Sequence, residues 1–156
     1  MRTASRLLAL ALPCLLPLTA AAQMTGNVIK IGVLNDQSGL YADLGGQGSV
    51  VAAKMAAEEF GGKVNGVPIE VIGADHQNKP DIGSGIATKW YDVDGVDVIV
   101  DVPNSGVALA VAKVTADKNK VFIDSGAATS NLTGKDCKPT TVHWTCLLYT
   151  SPSPRD

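Results

Sequence analysis

Residues 96–130, VDVIVDVPNSGVALAVAKVTADKNKVFIDSGAATS, carry the pattern that decides the fold. Val96 to Asp101 is a β-branched apolar run, and it stops at Val102-Pro103-Asn104-Ser105-Gly106, which is loop chemistry. A helix is predicted next, with Val107, Ala110, Val111 and Val114 at i, i+3, i+4 and i+7. Lys118-Asn119-Lys120 closes it. A second apolar run, Val121 to Asp124, ends in the small polar loop Ser125 to Ser130. Strand, loop, helix, strand, loop is the βαβ pattern, which makes the strands parallel and puts both loops on one edge of the sheet. Ligands of open parallel sheets bind outside the carboxyl ends of the strands.

The same alternation extends toward the N-terminus. Val28 to Leu34 reads as a first strand, followed by the loop Asn35 to Gly46 and a helix from about Gln47 to Phe60. Ala52, Ala56 and Phe60, with Met55 beside them, form the stripe expected to face the sheet. Gly61-Gly62 ends that helix. Lys63-Val64 and Val67-Pro68-Ile69 flank Asn65-Gly66, a hairpin signal, and the second arm runs on to Ala74 as a sheet strand. After Asp75-His76-Gln77-Asn78, Asn78 is expected to cap a helix that begins near Pro80 and runs to about Tyr91, with Ile82, Ile86 and Trp90 on one face. The fold class is therefore α/β, a mostly parallel sheet flanked by helices.

Both ends carry other signals. Arg2 and Arg6, the apolar stretch Leu7 to Leu18, and Ala20-Ala21-Ala22 read as a signal peptide over residues 1–22, cleaved after Ala22. The apolar stretch, with Pro13 and Pro17 in it, is too short for a membrane anchor. Cys14 fits a lipoprotein site poorly. The product is expected in a bacterial periplasm. Residues 146–156, CLLYTSPSPRD, read as a translated sequencing adapter, leaving 23–145 as one truncated α/β lobe. Cys137 is then the one native cysteine of the mature segment, which suggests a partner elsewhere or a free thiol.

Composition excludes several classes. A hydrophobic share of 46% with 18% charged residues is that of a globular chain. The net charge is −2, from 13 basic and 15 acidic residues; trimming both ends removes three arginines and one aspartate, leaving 10 against 14. No clustered Lys or Arg marks a nucleic-acid surface. Gly45-Gly46-Gln47-Gly48 lacks the spacing of a phosphate loop, and Asp92, Asp94 and Asp97 lack that of a calcium loop. His76 and His143 have no metal-ligand spacing, and Ser105 and Ser125 sit in no nucleophile elbow. No metal, cofactor or catalytic residue is expected. What remains is a set of short hydroxyls and amides after the strands: Ser38 and Tyr41, then Asn104 and Ser105, then Ser125, Thr129 and Ser130. Such groups at helix starts suit a carboxylate, and they also serve as ordinary helix caps.

Asn35 to Gly46 (NDQSGLYADLGG), Gly73 to Asn78 (GADHQN), Asp101 to Ala108 (DVPNSGVA) and Ser125 to Gly134 (SGAATSNLTG) together resemble the leucine/isoleucine/valine-binding family of ABC-transporter solute-binding proteins. The resemblance runs from about Ile29 to Trp144. It implies a type I periplasmic binding protein of two α/β lobes that close over a ligand. It implies ligand contacts at Asn104 and Ser105, then at Ala127 and Thr129, with Tyr41 facing the cleft and Ser38 on the same loop. It implies a small-molecule ligand, a permease partner in the inner membrane, and a monomer when complete. The motifs DQSGLY and DVPNS look closer to members that bind aromatic or other organic acids, or amides, than to strict leucine binders. The second lobe and hinge crossings of that family are absent from this sequence. Rival readings are a periplasmic sensor domain of the same fold and an exported α/β enzyme.

Overall fold

The computed structural model describes residues 26–145; the predicted signal segment, the start at Gln23 and residues 146–156 lie outside them. Six strands form one sheet in the order β2-β3-β1-β4-β5-β6. They are β1 (Ile29–Asn35), β2 (Lys63–Val64), β3 (Val67–Asp75), β4 (Val98–Asp101), β5 (Val121–Asp124) and β6 (Thr141–His143), with helices α1 (Gly46–Glu59), α2 (Pro80–Lys89) and α3 (Ser105–Asp117) between them. β1 pairs in parallel with β3 and β4, β4 with β5, and β5 with β6. Among the described residues only the β2–β3 hairpin is antiparallel. Its turn has Asn65 and Gly66 both at positive φ (51° and 85°), the conformation that makes Asn-Gly a hairpin signal. The parallel α/β class and the four predicted strands are as the sequence implied. The short parallel strand β6 was not foreseen, because three residues of mixed polarity carry no periodic signal.

The core lies on one face of the sheet. Leu34, Ile99 and Phe122 from adjacent strands pack with Val107, Ala108 and Val111 of α3 and with Ala87 and Trp90 from the α2 side. Trp90 lies flat over the strands because Gly32 has no side chain: a Cβ there would stand 2.5 Å from the Trp90 ring. Trp90 begins a π-helical turn, Trp90–Asp94, which ends at Gly95 with φ 70°. The Tyr91 hydroxyl, buried in the same turn, donates to the Val121 carbonyl at 3.1 Å, and burial pushes its pKa up to about 12. The three acids that resembled a calcium set are used separately: Asp92 pairs with Lys118, Asp94 with Lys89, and Asp97 accepts the Lys30 amide.

Three local expectations need correction. The sheet-facing stripe of α1 is not Ala52, Ala56, Phe60 and Met55; these are exposed, Met55 by 54% and Phe60 by 69%. The buried residues of α1 are Gly46 and Val50, with Ala53 and Ala57 half-buried below them. Small residues let the helix approach the strands, and Val50 fits over Gly73. Hydrophobicity alone pointed to the wrong stripe because the larger apolar side chains lie on the outer one. Second, α2 is capped by the backbone of Lys79, not by Asn78, although Pro80 does open the helix. Asn78 has φ 57° and turns its side chain to Asn104 instead. Third, the buried face of α3 is rotated slightly from the predicted one: Val107, Ala108, Val111, Ala112 and Thr115 are buried, while Ala110 and Val114 are half-buried.

The opposite face of the sheet is covered by α1 over β1 and β3. On the β5–β6 side, Val121, Ile123 and Val142 remain 45%, 38% and 47% exposed.

Gly32→Ala is expected to destabilise the protein by about 1–3 kcal/mol, because the Trp90 ring must leave its position in a packed core. A urea-unfolding midpoint unchanged from the wild type would contradict this packing.

Candidate functional site

Parallel pairing carries the loops after β1, β3, β4 and β5 to one edge, and all three α-helices begin there. Each of these strands brings an aspartate to that edge. Asp36 and Asp124 are fully buried, and Asp75 and Asp101 are half-buried. Asp36 accepts the N–H groups of Gly39 and Tyr41, both at 2.9 Å, which folds the first loop back on itself. Asp75 accepts the N–H groups of Gln37 (3.0 Å) and Gln77 (2.7 Å) and the Ser38 hydroxyl (2.6 Å). Its burial opposes ionisation, but these hydrogen bonds outweigh that and hold its pKa below the ordinary carboxylate value. Asp124 accepts the N–H groups of Gly126 and Ala127, both at 3.1 Å. Burial is the larger influence there and pushes its pKa up to about 6, with His143 Nε2 3.6 Å from its second oxygen.

Asn35, also fully buried, joins three segments. Its Nδ2 donates to the Gly46 carbonyl at 2.7 Å and to Asp101 Oδ2 at 3.2 Å, while its Oδ1 accepts Gln37 Nε2. The β4 loop then turns through two left-handed residues, Asp101 (φ 78°) and Val102 (φ 69°). For a β-branched residue this conformation costs roughly 1–3 kcal/mol, and it is met mostly where function constrains the chain. Gly126 lets the next loop come close: a Cβ there would stand 2.7 Å from the Pro103 Cα.

A depression of about 360 Å³ opens between these loops, with Tyr41, Leu44 and Ser49 on one side and Asp101, Pro103 and Ser125 on the other. One of similar size, about 380 Å³, lies by Leu109, Lys113 and Lys138, and none of the residues singled out from the sequence as ligand contacts lines it.

The six residues that the resemblance implies differ in what they have left to offer. Tyr41 lines the depression. Ser38 is engaged with Asp75. Asn104 caps α3 by accepting the Val107 N–H and donates to Asn78 at 2.6 Å, so both ends of its amide are engaged. Ala127 is fully buried; its N–H goes to Asp124 and its carbonyl meets His143 Nε2 at 2.5 Å. Thr129 accepts the Asn131 N–H and so caps the single 3₁₀ turn Ser130–Leu132. Ser105 opens α3, and its hydroxyl makes no hydrogen bond among the described residues. As the first residue of that helix, it also has an N–H with no partner inside the helix.

Sequence reasoning missed the four strand-end aspartates, Asn35 and the histidine contacts. An acid closing each of several β-branched runs was the available signal. His76 is fully buried after β3, with Nδ1 accepting the Asn78 N–H and Nε2 without a partner among the described residues; burial lowers its pKa, against the pull of Asp36, Asp75 and Asp101. Cys137 is exposed and free. Among the described residues no helix is long and apolar enough to cross a membrane, and no group of acids, histidines and cysteines is placed to hold a metal.

Residues 28–154 match the profile of the family described as "Periplasmic binding protein". Among solved structures, a periplasmic binding protein from Burkholderia mallei is 52% identical, with a TM-score of 0.73 over 75% of this chain and 31% of that one. A branched-chain amino acid ABC transporter periplasmic ligand-binding protein from Burkholderia xenovorans is 44% identical, TM-score 0.69, over 72% and 30%. A solute-binding protein of an ABC transporter from Rhodopseudomonas palustris, in complex with 3,4-dihydroxybenzoic acid, is 29% identical, TM-score 0.68, over 76% and 32%. This chain thus spans about a third of the length of these structures. No curated protein matches.

The burial of Asp124 sets a pH dependence. Its folded-state pKa lies above the ordinary value, so its favourable contribution is complete below about pH 4 and is lost as pH rises through 6. Asp124→Asn should therefore gain stability relative to the wild type between pH 4 and pH 7, by up to about 3 kcal/mol. Denaturant unfolding at the two pH values measures the difference, and parallel pH profiles for the two proteins would contradict it.

Proposed function

We propose, from the premise that this chain belongs to the periplasmic binding protein family, that it carries the N-terminal lobe of a substrate-binding component of an ABC importer. Residues 23–145 form this lobe, residues 1–22 the export signal, and residues 146–156 are foreign to it. The matched family range runs into that last segment. The protein captures a small carboxylate-bearing solute in the periplasm and performs no chemistry on it. A second lobe closes over the solute, and the loaded protein, a monomer, docks on its permease in the inner membrane.

The observation that carries this reading is the collection of unspent donors beside the depression at the carboxyl edge. Tyr41 and Ser125 line it, and their hydroxyls make no hydrogen bond among the described residues. Ser105 adds a hydroxyl and a helix-start N–H next to Pro103. A helix N-terminus carries roughly half a positive charge, which favours an anion there. Asn104, Ala127 and Ser38 support this reading as the framework that sets the loops, since their polar groups are engaged within the lobe. Thr129, at the start of the 3₁₀ turn, is the further contact. The neighbouring structures name branched-chain amino acid transport in one case and a dihydroxybenzoic acid in another, so both ligand types belong in the first screen.

In the complete protein, Ser105→Ala and Thr129→Ala should each weaken binding by roughly 1–3 kcal/mol, as expected when a buried polar partner is removed. Isothermal titration with L-leucine and 4-hydroxybenzoate measures this, after a thermal-shift screen has shown which class binds. Unchanged affinity in both variants would remove these two contacts, and turnover of a bound compound would overturn capture without chemistry.

A further inference from the structure

Of the four aspartates at the carboxyl edge, three are held by main-chain N–H groups of the strand-end loops and one is not. Asp36, Asp75 and Asp124 each accept at least two main-chain N–H groups. Asp101 accepts none. The one hydrogen bond to its carboxylate among the described residues comes from the Asn35 side chain, to Oδ2 at 3.2 Å. An ionised carboxylate has about four acceptor positions, so most of its capacity is left. This carboxylate is the one that lines the depression, opposite Tyr41 and Ser49, and no lysine or arginine lines it. The left-handed pair Asp101-Val102 holds it there while Val102 packs into the apolar core, at a conformational cost.

We propose that Asp101 is a specificity-determining residue of this lobe: its carboxylate receives an ammonium or hydroxyl group of the bound solute. The inference rests on the proposed reading of this edge as a solute site. Closing a cleft over Asp101 strips water from a charged acceptor. A solute that brings a donor replaces that water, while one that brings only carbon leaves the carboxylate unpaired. Sites built around such a hydrogen bond reject the analogue lacking it far more strongly than apolar pockets reject a missing methylene.

Two ligand pairs differ only in the group at issue: L-leucine against 4-methylpentanoate, and 4-hydroxybenzoate against benzoate. Titration calorimetry on the complete protein should show the donor-bearing member of a bound pair preferred by about tenfold or more. Asp101→Asn keeps the side-chain shape and tolerates the left-handed backbone, and it should lose most of that preference while still binding. Equal affinity within a bound pair in the wild type would overturn the inference without using the variant, so a poorly folding variant does not protect it. A preference of the same size in Asp101→Asn would also overturn it. If none of the four compounds binds, the solute-site reading falls, and the inference falls with it.

Discussion

A buried carboxylate has to be supplied with donors, and along the carboxyl edge of this sheet the donors are mostly main-chain N–H groups. That requirement shapes the loops. Asp36 draws Gly39 and Tyr41 inward, Asp75 ties Gln37 and Ser38 to the β3 loop, and Asp124 folds Gly126 and Ala127 around itself. Hydrogen bonds to a charged acceptor contribute roughly 1.5–3 kcal/mol each, more than neutral ones. Asn35 extends the same logic sideways, joining the start of α1 to the end of β4 through one amide.

The sheet supplies the frame for this edge. Parallel register sets these strand ends in a row with a one-residue step: Asn35 is opposite Asp75 and Asp101 opposite Asp124, while Asp101 is level with Leu34. The apolar cluster beneath, from Leu34 across Ile99 to Phe122, fixes the spacing of that row. Glycines at close approaches, such as Gly32 under Trp90 and Gly126 against Pro103, let the layers and loops meet without displacement.

Much of this was legible in the residues. The β-branched runs and the loops between them predict four of the strands, because a run such as Val121 to Asp124 has few alternatives. Asn65-Gly66 reads as a turn for a reason that the positive φ angles repeat. The face of α1 was not legible: its sheet contact is made by Gly46, Val50 and alanines, and small residues weigh little in a hydrophobic pattern. The site was legible as an edge but not as a network. Hydroxyls and amides in loops attract attention as ligand contacts, yet Asn104 and Ser38 are engaged inside the lobe. The aspartates went unremarked because an acid at the end of a strand looks like an ordinary solvated turn until its partners are seen.

Stapling loops through backbone amides has an evolutionary consequence. The contacts that Asp36 and Asp124 make are to main-chain N–H groups, so apart from Gly39 and Gly126, where a Cβ would stand 2.7 Å from Asp36 Oδ2 and from the Pro103 Cα, the path of the loop depends little on the side chains it displays. Exposed positions between the anchors, such as Leu40 and Ser125, can diverge while the scaffold stays fixed. A lineage built on this edge is free to change those exposed side chains by point substitution, without refolding the loops that carry them.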